Sequence, residues 1–130
     1  NAEKIIISSD TESIADGVFQ GLRGLREVVF GESSKLKEIG AETFSRTGIE
    51  EFVAPASLRT ISQAAFCGCD KLRSAELNEG LEAIGNNVFA NSGIDSVTFP
   101  STLRTMGEDV VRGSAAETVY YSHDTPAQIR

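Results

Sequence analysis

The fold is decided by residues 58–77, LRTISQAAFCGCDKLRSAEL. In this stretch a leucine is followed three residues later by an isoleucine and eight residues later by a phenylalanine. The stretch then passes through Leu72 and ends in an alternation of polar and apolar residues. Because the same spacing returns along nearly the whole chain, we interpret this segment as one unit of a repeat.

The repeat is visible as columns of apolar residues at equivalent positions. The main column consists of Phe19, Phe44, Phe66, Phe89 and Val111, at intervals of 25, 22, 23 and 22 residues. The column five residues earlier consists of Ile14, Ile39, Ile61, Ile84 and Met106, and four units begin with Leu36, Leu58, Leu81 and Leu103. At 40% apolar content, one such five-membered column arises by chance about 1% of the time. Several such columns therefore establish a repeat.

Each unit predicts one strand and one turn. The segment from Leu25 to Phe30 ends in alternation, so Val28 and Phe30 are expected to point inward from a short strand. The segment 39–44 has apolar residues at its ends and polar residues between, which favours a helical or 3₁₀ turn. Glycines recur at one shared position, which we interpret as a turn position: Gly40, Gly85 and Gly107. One unit cannot bury its own apolar face, so stacked units are expected to share one core.

The unit L-x-x-I-G-x-x-x-F-x-x-C-x-x-L-x-x-V-x-F/I-P resembles the BspA-like leucine-rich repeat. The motif L-x-x-I-G followed by phenylalanine occurs in residues 36–44 and 81–89, and the best match to the rest is AFCGCDKL at 65–72. The resemblance covers about residues 12–121. It implies a right-handed solenoid with a parallel sheet on its concave side.

The predicted fold class is an α/β solenoid of about five leucine-rich repeats of 22–25 residues. A parallel β-sheet is expected on the concave face and short helical or 3₁₀ turns on the convex side. We expect residues 1–130 to form a single domain. Its predicted parts are an N-terminal strand or cap (1–11), repeats at 12–35, 36–57, 58–80, 81–102 and 103–121, and a C-terminal tail (122–130). Because the chain starts at Asn1 without methionine, we expect a processed product or a fragment, and whether it comes from a longer array stays open.

Composition excludes several classes of function. A net charge of −7 repels phosphate backbones, so no nucleic-acid partner is expected. The chain contains no apolar run near the roughly 20 residues of a membrane span, so no membrane insertion is expected. Cys67 and Cys69 are too close in sequence for good disulfide geometry, and we expect free thiols that are buried or partly buried. With His123 as the only histidine, neither a metal site nor a cofactor is predicted.

No motif in the sequence predicts catalysis. His123 and Asp124 are adjacent, but no motif places a nucleophile beside them, so His123 is expected to be a surface residue. The carboxylates lie at exposed repeat positions, which is typical of a solvated face. We therefore expect that the protein is not an enzyme.

The outward positions of the predicted strands define a candidate partner-binding face. It consists of Arg26, Glu27, Val29, Glu50, Glu51, Val53, Arg73, Ser74, Glu76, Asp95, Ser96, Thr98, Thr118 and Tyr120. With Glu117, which shares a position with Arg26, the face has six acidic and two basic residues and is expected to be acidic. Val29, Val53 and Tyr120 interrupt it, and strand propensity alone also accounts for them. A neighbouring column is mostly basic and is expected to form a ridge beside the face: Lys37, Arg59, Glu82 and Arg104.

Two functions fit this face. The first is a non-catalytic interaction or adhesion module whose concave face binds a protein, such as a host or matrix protein, or a glycan. The second is a structural subunit or spacer docked in a larger assembly. The family resemblance implies an extracellular or cell-surface protein, and because the chain shows no signal segment, an intracellular location stays open.

Overall fold

The computed structural model describes residues 3–116 and 118–121. The strands of this part, in chain order, are β1 Lys4–Ile7, β2 Ser13–Ile14, β3 Glu27–Phe30, β4 Glu38–Ile39, β5 Glu51–Val53, β6 Thr60–Ile61, β7 Ser74–Glu76, β8 Ala83–Ile84, β9 Ser96–Phe99, β10 Thr105–Met106 and β11 Thr118–Tyr121. All strand pairs among them are parallel. A chain that returns to the same direction in every pair forms a solenoid, as the repeat predicts.

The odd-numbered and even-numbered strands form two separate walls. The even-numbered strands, of two residues each, form one five-stranded sheet in the order β10-β8-β6-β4-β2. The odd-numbered strands are longer and pair as β1-β3, β5-β7 and β9-β11. Between the first two of these pairs, the Glu50 N–H donates to the Arg26 carbonyl at 3.2 Å. Each turn of the solenoid therefore supplies one long strand and one short strand.

The predicted helical or 3₁₀ turns are not found: the described residues contain no helix. The segment 39–44 instead begins in β4 and continues as a turn that is bonded to the next repeat. The Glu42 and Phe44 N–H groups donate to the Gln63 and Ala65 carbonyls, at 3.0 and 2.9 Å. The backbone at Glu42 also has a φ of 57°, in the left-handed region, which interrupts a right-handed helix.

The predicted continuous core is confirmed. Phe44, Phe66 and Phe89 are fully buried in one cluster, and their rings stack with centroids 5.4 and 5.6 Å apart. Phe19 is half-buried and stacks on Phe44 at 5.5 Å. The leucine column is entirely buried: Leu36, Leu58, Leu81 and Leu103. Burial of each such side chain contributes about 1.5–3 kcal/mol, so the stacked columns are the main source of stability.

The two cysteines are free thiols, as expected. Cys69 is fully buried, and its Sγ donates to the Phe44 carbonyl of the preceding turn at 2.9 Å. Burial raises the pKa of this thiol, because desolvation disfavours the thiolate. Thr47 lies at the equivalent position one turn earlier and donates to the same carbonyl at 2.8 Å. The position therefore selects small side chains that can donate a hydrogen bond to a buried carbonyl.

The shared glycines are explained by close packing of neighbouring turns. Gly40 and Gly85 have no positive φ, so a left-handed backbone does not explain their selection. A Cβ at Gly40 would lie 2.6 Å from the Ile14 carbonyl oxygen, and one at Gly85 would lie 2.6 Å from the Gln63 nitrogen. Glycine is needed here because the backbones of successive turns approach too closely for a side chain.

Candidate interaction surface

The odd-numbered strands present their outward side chains on one surface, which we call the long-strand face. The parallel register places these side chains in three rows. The first row precedes the strands and consists of Glu3, Arg26, Glu50, Arg73 and Asp95. The second row consists of Lys4, Glu27, Glu51, Ser74 and Ser96, and the backbone register places position 118 next to Ser96. The third row consists of Ile6, Val29, Val53, Glu76, Thr98 and Tyr120.

The structure exposes nearly all the residues that the sequence assigned to this face. Val29 is half-buried, and the other described members are exposed, with Val53 and Tyr120 at 51% and 52%. Thr118 lies in β11, but its side chain, like residue Glu117, is outside the described part of the chain. The face is a continuous set of outward positions.

Three members of the face, Glu3, Lys4 and Ile6, were missed by the sequence interpretation. In the register of β1 and β3, Lys4 lies beside Glu27 and Ile6 beside Val29. Ile6 is 70% exposed although it lies in the run Ile5-Ile6-Ile7, which reads as uniformly apolar. The sequence did contain a signal for these three members, because each lies 23 residues before the equivalent residue of the next unit.

Ile6 extends the apolar part of the third row. Ile6, Val29 and Val53 occupy equivalent positions on β1, β3 and β5. Two of these three side chains are more than half exposed. An exposed apolar row beside charged residues is typical of protein-interaction surfaces.

Among residues 3–116 and 118–121, the charged side chains of the long-strand face form no ion pair. The three ion pairs among the described residues lie elsewhere: Lys35–Asp10 at 3.9 Å, Arg59–Glu82 at 3.3 Å and Arg112–Asp109 at 3.7 Å. The second of these lies in the predicted basic ridge, so Arg59 is partly neutralised within the chain. The described part of the face has six acidic and three basic residues. The predicted count of six acidic and two basic residues included Glu117, which lies outside the described residues, and did not include Glu3 and Lys4. These unpaired charges are available to a partner.

The depressions on this face are shallow. One depression, of about 630 Å³, lies near the N-terminal end and is lined by residues of the first two rows, from Lys4 to Ser74. A second, of about 570 Å³, lies between β7 and β9. Within residues 3–116 and 118–121 no group of three or more His, Cys, Asp or Glu side chains could hold a metal ion. In the same residues there is also no helix long and apolar enough to cross a bilayer. Broad, open contact suits this surface better than an enclosed ligand.

Comparison with known proteins places the repeat in a described class. The family profile "BspA type leucine rich repeat region" matches residues 1–117 with six copies. No curated protein matches the chain.

Three solved structures have the same fold. The pneumococcal vaccine antigen PcpA is similar at 27% identity and a TM-score of 0.89, covering 95% of this chain and 31% of that one. A leucine-rich repeat protein from Bacteroides capillosus is similar at 23% identity and a TM-score of 0.66, covering 93% and 78%. A leucine-rich cell surface protein from Faecalibacterium prausnitzii is similar at 14% identity and a TM-score of 0.60, covering 96% and 48%. The chain thus spans about a third of PcpA.

Proposed function

Because the chain belongs to the BspA-type leucine-rich-repeat family, we propose that it is a non-catalytic interaction module whose long-strand face binds a macromolecular partner. The observation that supports this most directly is the exposure of unpaired charges beside the apolar row Ile6, Val29 and Val53. The face combines apolar contact for affinity with charge for specificity.

The partner class that fits best is a protein. Acidic side chains such as Glu27 and Glu51 match a basic patch on a partner, and the apolar row matches aliphatic side chains. A glycan fits less well, because Tyr120 is the only aromatic residue on the described part of the face. We assign the module to adhesion at the cell surface or outside the cell, in line with the family and with the similarity to the vaccine antigen PcpA.

The size of the face limits the strength of the contact. Six strands at about 4.8 Å spacing and about 10–15 Å length give on the order of 300 Å². A standard interface buries about 800 Å² on each partner. A single face of this length therefore binds weakly, and high affinity requires the flanks of the solenoid or further turns in the same chain.

The experiment compares two charge reversals at exposed strand positions. Glu51→Lys changes the centre of the long-strand face, and Glu38→Lys makes the same change in β4, on the other wall. Affinity capture on the purified wild type, with mass spectrometry, first identifies a binding protein. Glu51→Lys is then expected to weaken its binding by about tenfold or more, with Glu38→Lys unchanged.

Two results would contradict this proposal. Equal loss of binding in both variants would place the site elsewhere, and so would unchanged binding in Glu51→Lys. Tyr120→Ala is a second test on the same face, and thermal unfolding of all variants checks that the fold persists. Co-purification in fixed stoichiometry that no face variant disturbs would instead support a structural subunit of a larger assembly.

A further inference from the structure

The first row of the long-strand face alternates in sign from turn to turn. Its described members, Glu3, Arg26, Glu50, Arg73 and Asp95, are all exposed. The backbone sets them at one level: the Arg73 N–H donates to the Glu50 carbonyl at 2.9 Å, as Glu50 does to Arg26. None of the ion pairs among the described residues involves them. The row is therefore a regular array of positive and negative charges that neighbouring strands do not neutralise.

A row of this kind is complementary to itself after a half-turn rotation. If the axis runs along the strands between β5 and β7, two copies meet face to face with their solenoid directions opposed. Arg26 of one copy then faces Asp95 of the second copy, and Glu50 faces Arg73. The symmetry repeats each contact, so these four charges of each copy meet an opposite charge, whereas Glu3 lies at the end of the row and faces no described basic residue.

The second and third rows are compatible with the same half-turn rotation. In the second row, the acidic Glu27 and Glu51 face Ser96 and Ser74 of the second copy. In the third row, Ile6 faces Tyr120 of the second copy, and these are two of the most exposed apolar side chains of the chain. The ends of the contact gain apolar burial, and no two like charges of described residues meet. Glu76 faces Val53 of the second copy, which costs some desolvation of the carboxylate.

Competing arrangements bring like charges together or place carboxylates on apolar side chains. An axis perpendicular to the strands that runs between the second and third rows places the charged Glu27 and Glu51 on Val29 and Val53, which is costly for the carboxylates. The same axis through the second row places Glu27 on Glu27 and Glu51 on Glu51. A shift of the parallel axis to the gap between β3 and β5 places Glu27 on Glu51. Repulsion between such pairs disfavours the last two arrangements, while the central register also keeps the largest number of strands in contact.

We propose that a second copy of this chain binds the long-strand face in this antiparallel, face-to-face arrangement. The inference rests on the proposed function only in using the same face, and it names the chain itself as one partner. A contact of on the order of 300 Å² per copy falls below the usual size of a stable dimer. The self-association is therefore weak and, because charges set its register, sensitive to salt.

The first test is sedimentation velocity of the purified chain at concentrations up to about 1 mM. In low salt the wild type is expected to show concentration-dependent dimers that dissociate as salt screens the charges. Arg73→Glu places like charges at both symmetry-related contacts and is expected to weaken the dimer by about tenfold. Arg104→Glu is the matched control, since Arg104 is exposed and lies outside the face.

A double exchange separates contacts between copies from contacts within one copy. Glu50→Arg combined with Arg73→Glu gives the sign order plus, plus, minus, minus. This order keeps opposite charges facing each other across the rotation axis but removes the alternation between neighbouring strands. The dimer is expected to recover in the double variant. If the alternation serves only attraction between neighbouring strands, the double variant loses stability and does not recover the dimer.

Three results would overturn the inference: a monomer at every concentration, a dimer that Arg73→Glu leaves intact, or a double variant that fails to restore it. Binding of a different protein that Glu51→Lys weakens would leave the proposed function standing in each of these cases. The converse result is a dimer that behaves as expected together with a Glu51→Lys variant that binds the other protein as well as the wild type does. That result would contradict the site assigned in the proposed function and leave this inference standing.

Discussion

Aromatic rings at one position in successive turns hold neighbouring turns together. Phe66 is fully buried, stacks on Phe44 and Phe89, and also contacts Phe52 at a centroid distance of 4.6 Å. It thereby joins the ring column to the wall of long strands. A residue with partners on every side leaves a cavity when it is truncated, because the flanking backbone is bonded and does not collapse.

Phe66→Ala is expected to lower the free energy of unfolding by about 3–5 kcal/mol. Phe19→Ala is the matched change at the first turn, where the ring is half-buried and has one stacking partner. The decrease in the free energy of unfolding caused by Phe19→Ala is expected to be clearly smaller. Urea titration of both variants measures the difference, and equal losses would show that the rings do not form a shared column.

The buried thiol gives stability a dependence on pH. The pKa of Cys69 is raised in the folded protein, so the neutral thiol favours folding below the unfolded pKa and that contribution is lost as pH rises. The free energy of unfolding is expected to fall more steeply above about pH 9 in the wild type than in Cys69→Ser. In the native protein iodoacetamide is expected to alkylate the half-buried Cys67 first, as followed by mass spectrometry. Equal reactivity of the two thiols would contradict the burial of Cys69.

At the scale of elements, the turns are defined by contacts with the next repeat. The segment 39–44 was predicted to form a helical turn because its apolar residues are five apart, a spacing that a tight turn also satisfies. Sequence alone does not reveal that alternate N–H groups, such as those of Glu42 and Phe44, bond to the following repeat. The two-residue strands were missed for the same reason, since so short an element has no readable alternation.

The glycine of each short-strand turn sets the distance between neighbouring turns. Gly85→Ala is expected to destabilise the protein by about 1–3 kcal/mol, because the added Cβ meets the backbone of Gln63. Gly24→Ala is the control, since a Cβ there would have nothing within 4 Å. It is expected to be neutral or slightly stabilising. Thermal unfolding compares the two, and a neutral Gly85→Ala would mean that the turns are not so closely spaced.

At the scale of the whole molecule, the repeat made the core predictable and left the partner open. Inward columns such as Leu36 to Leu103 are constrained by packing in every unit, so repetition amplifies the signal. Outward positions are set by a partner that differs between proteins, so their spacing shows where a face lies and not what binds it. Glu3, Lys4 and Ile6 were missed because the first unit has Thr11 where later units have leucine, which hid its register.

The central claim is that stacked turns, joined by backbone hydrogen bonds, form one cooperative core behind the long-strand face. Amide hydrogen exchange followed by NMR tests it most directly. The Phe44, Phe66 and Phe89 N–H groups each donate to the next turn, at 2.9, 2.9 and 2.8 Å. They are expected to exchange only through global unfolding, with similar protection, while the exposed amides of Glu32 and Ser33 exchange freely. A Phe66 amide that exchanges as fast as those two would contradict the account.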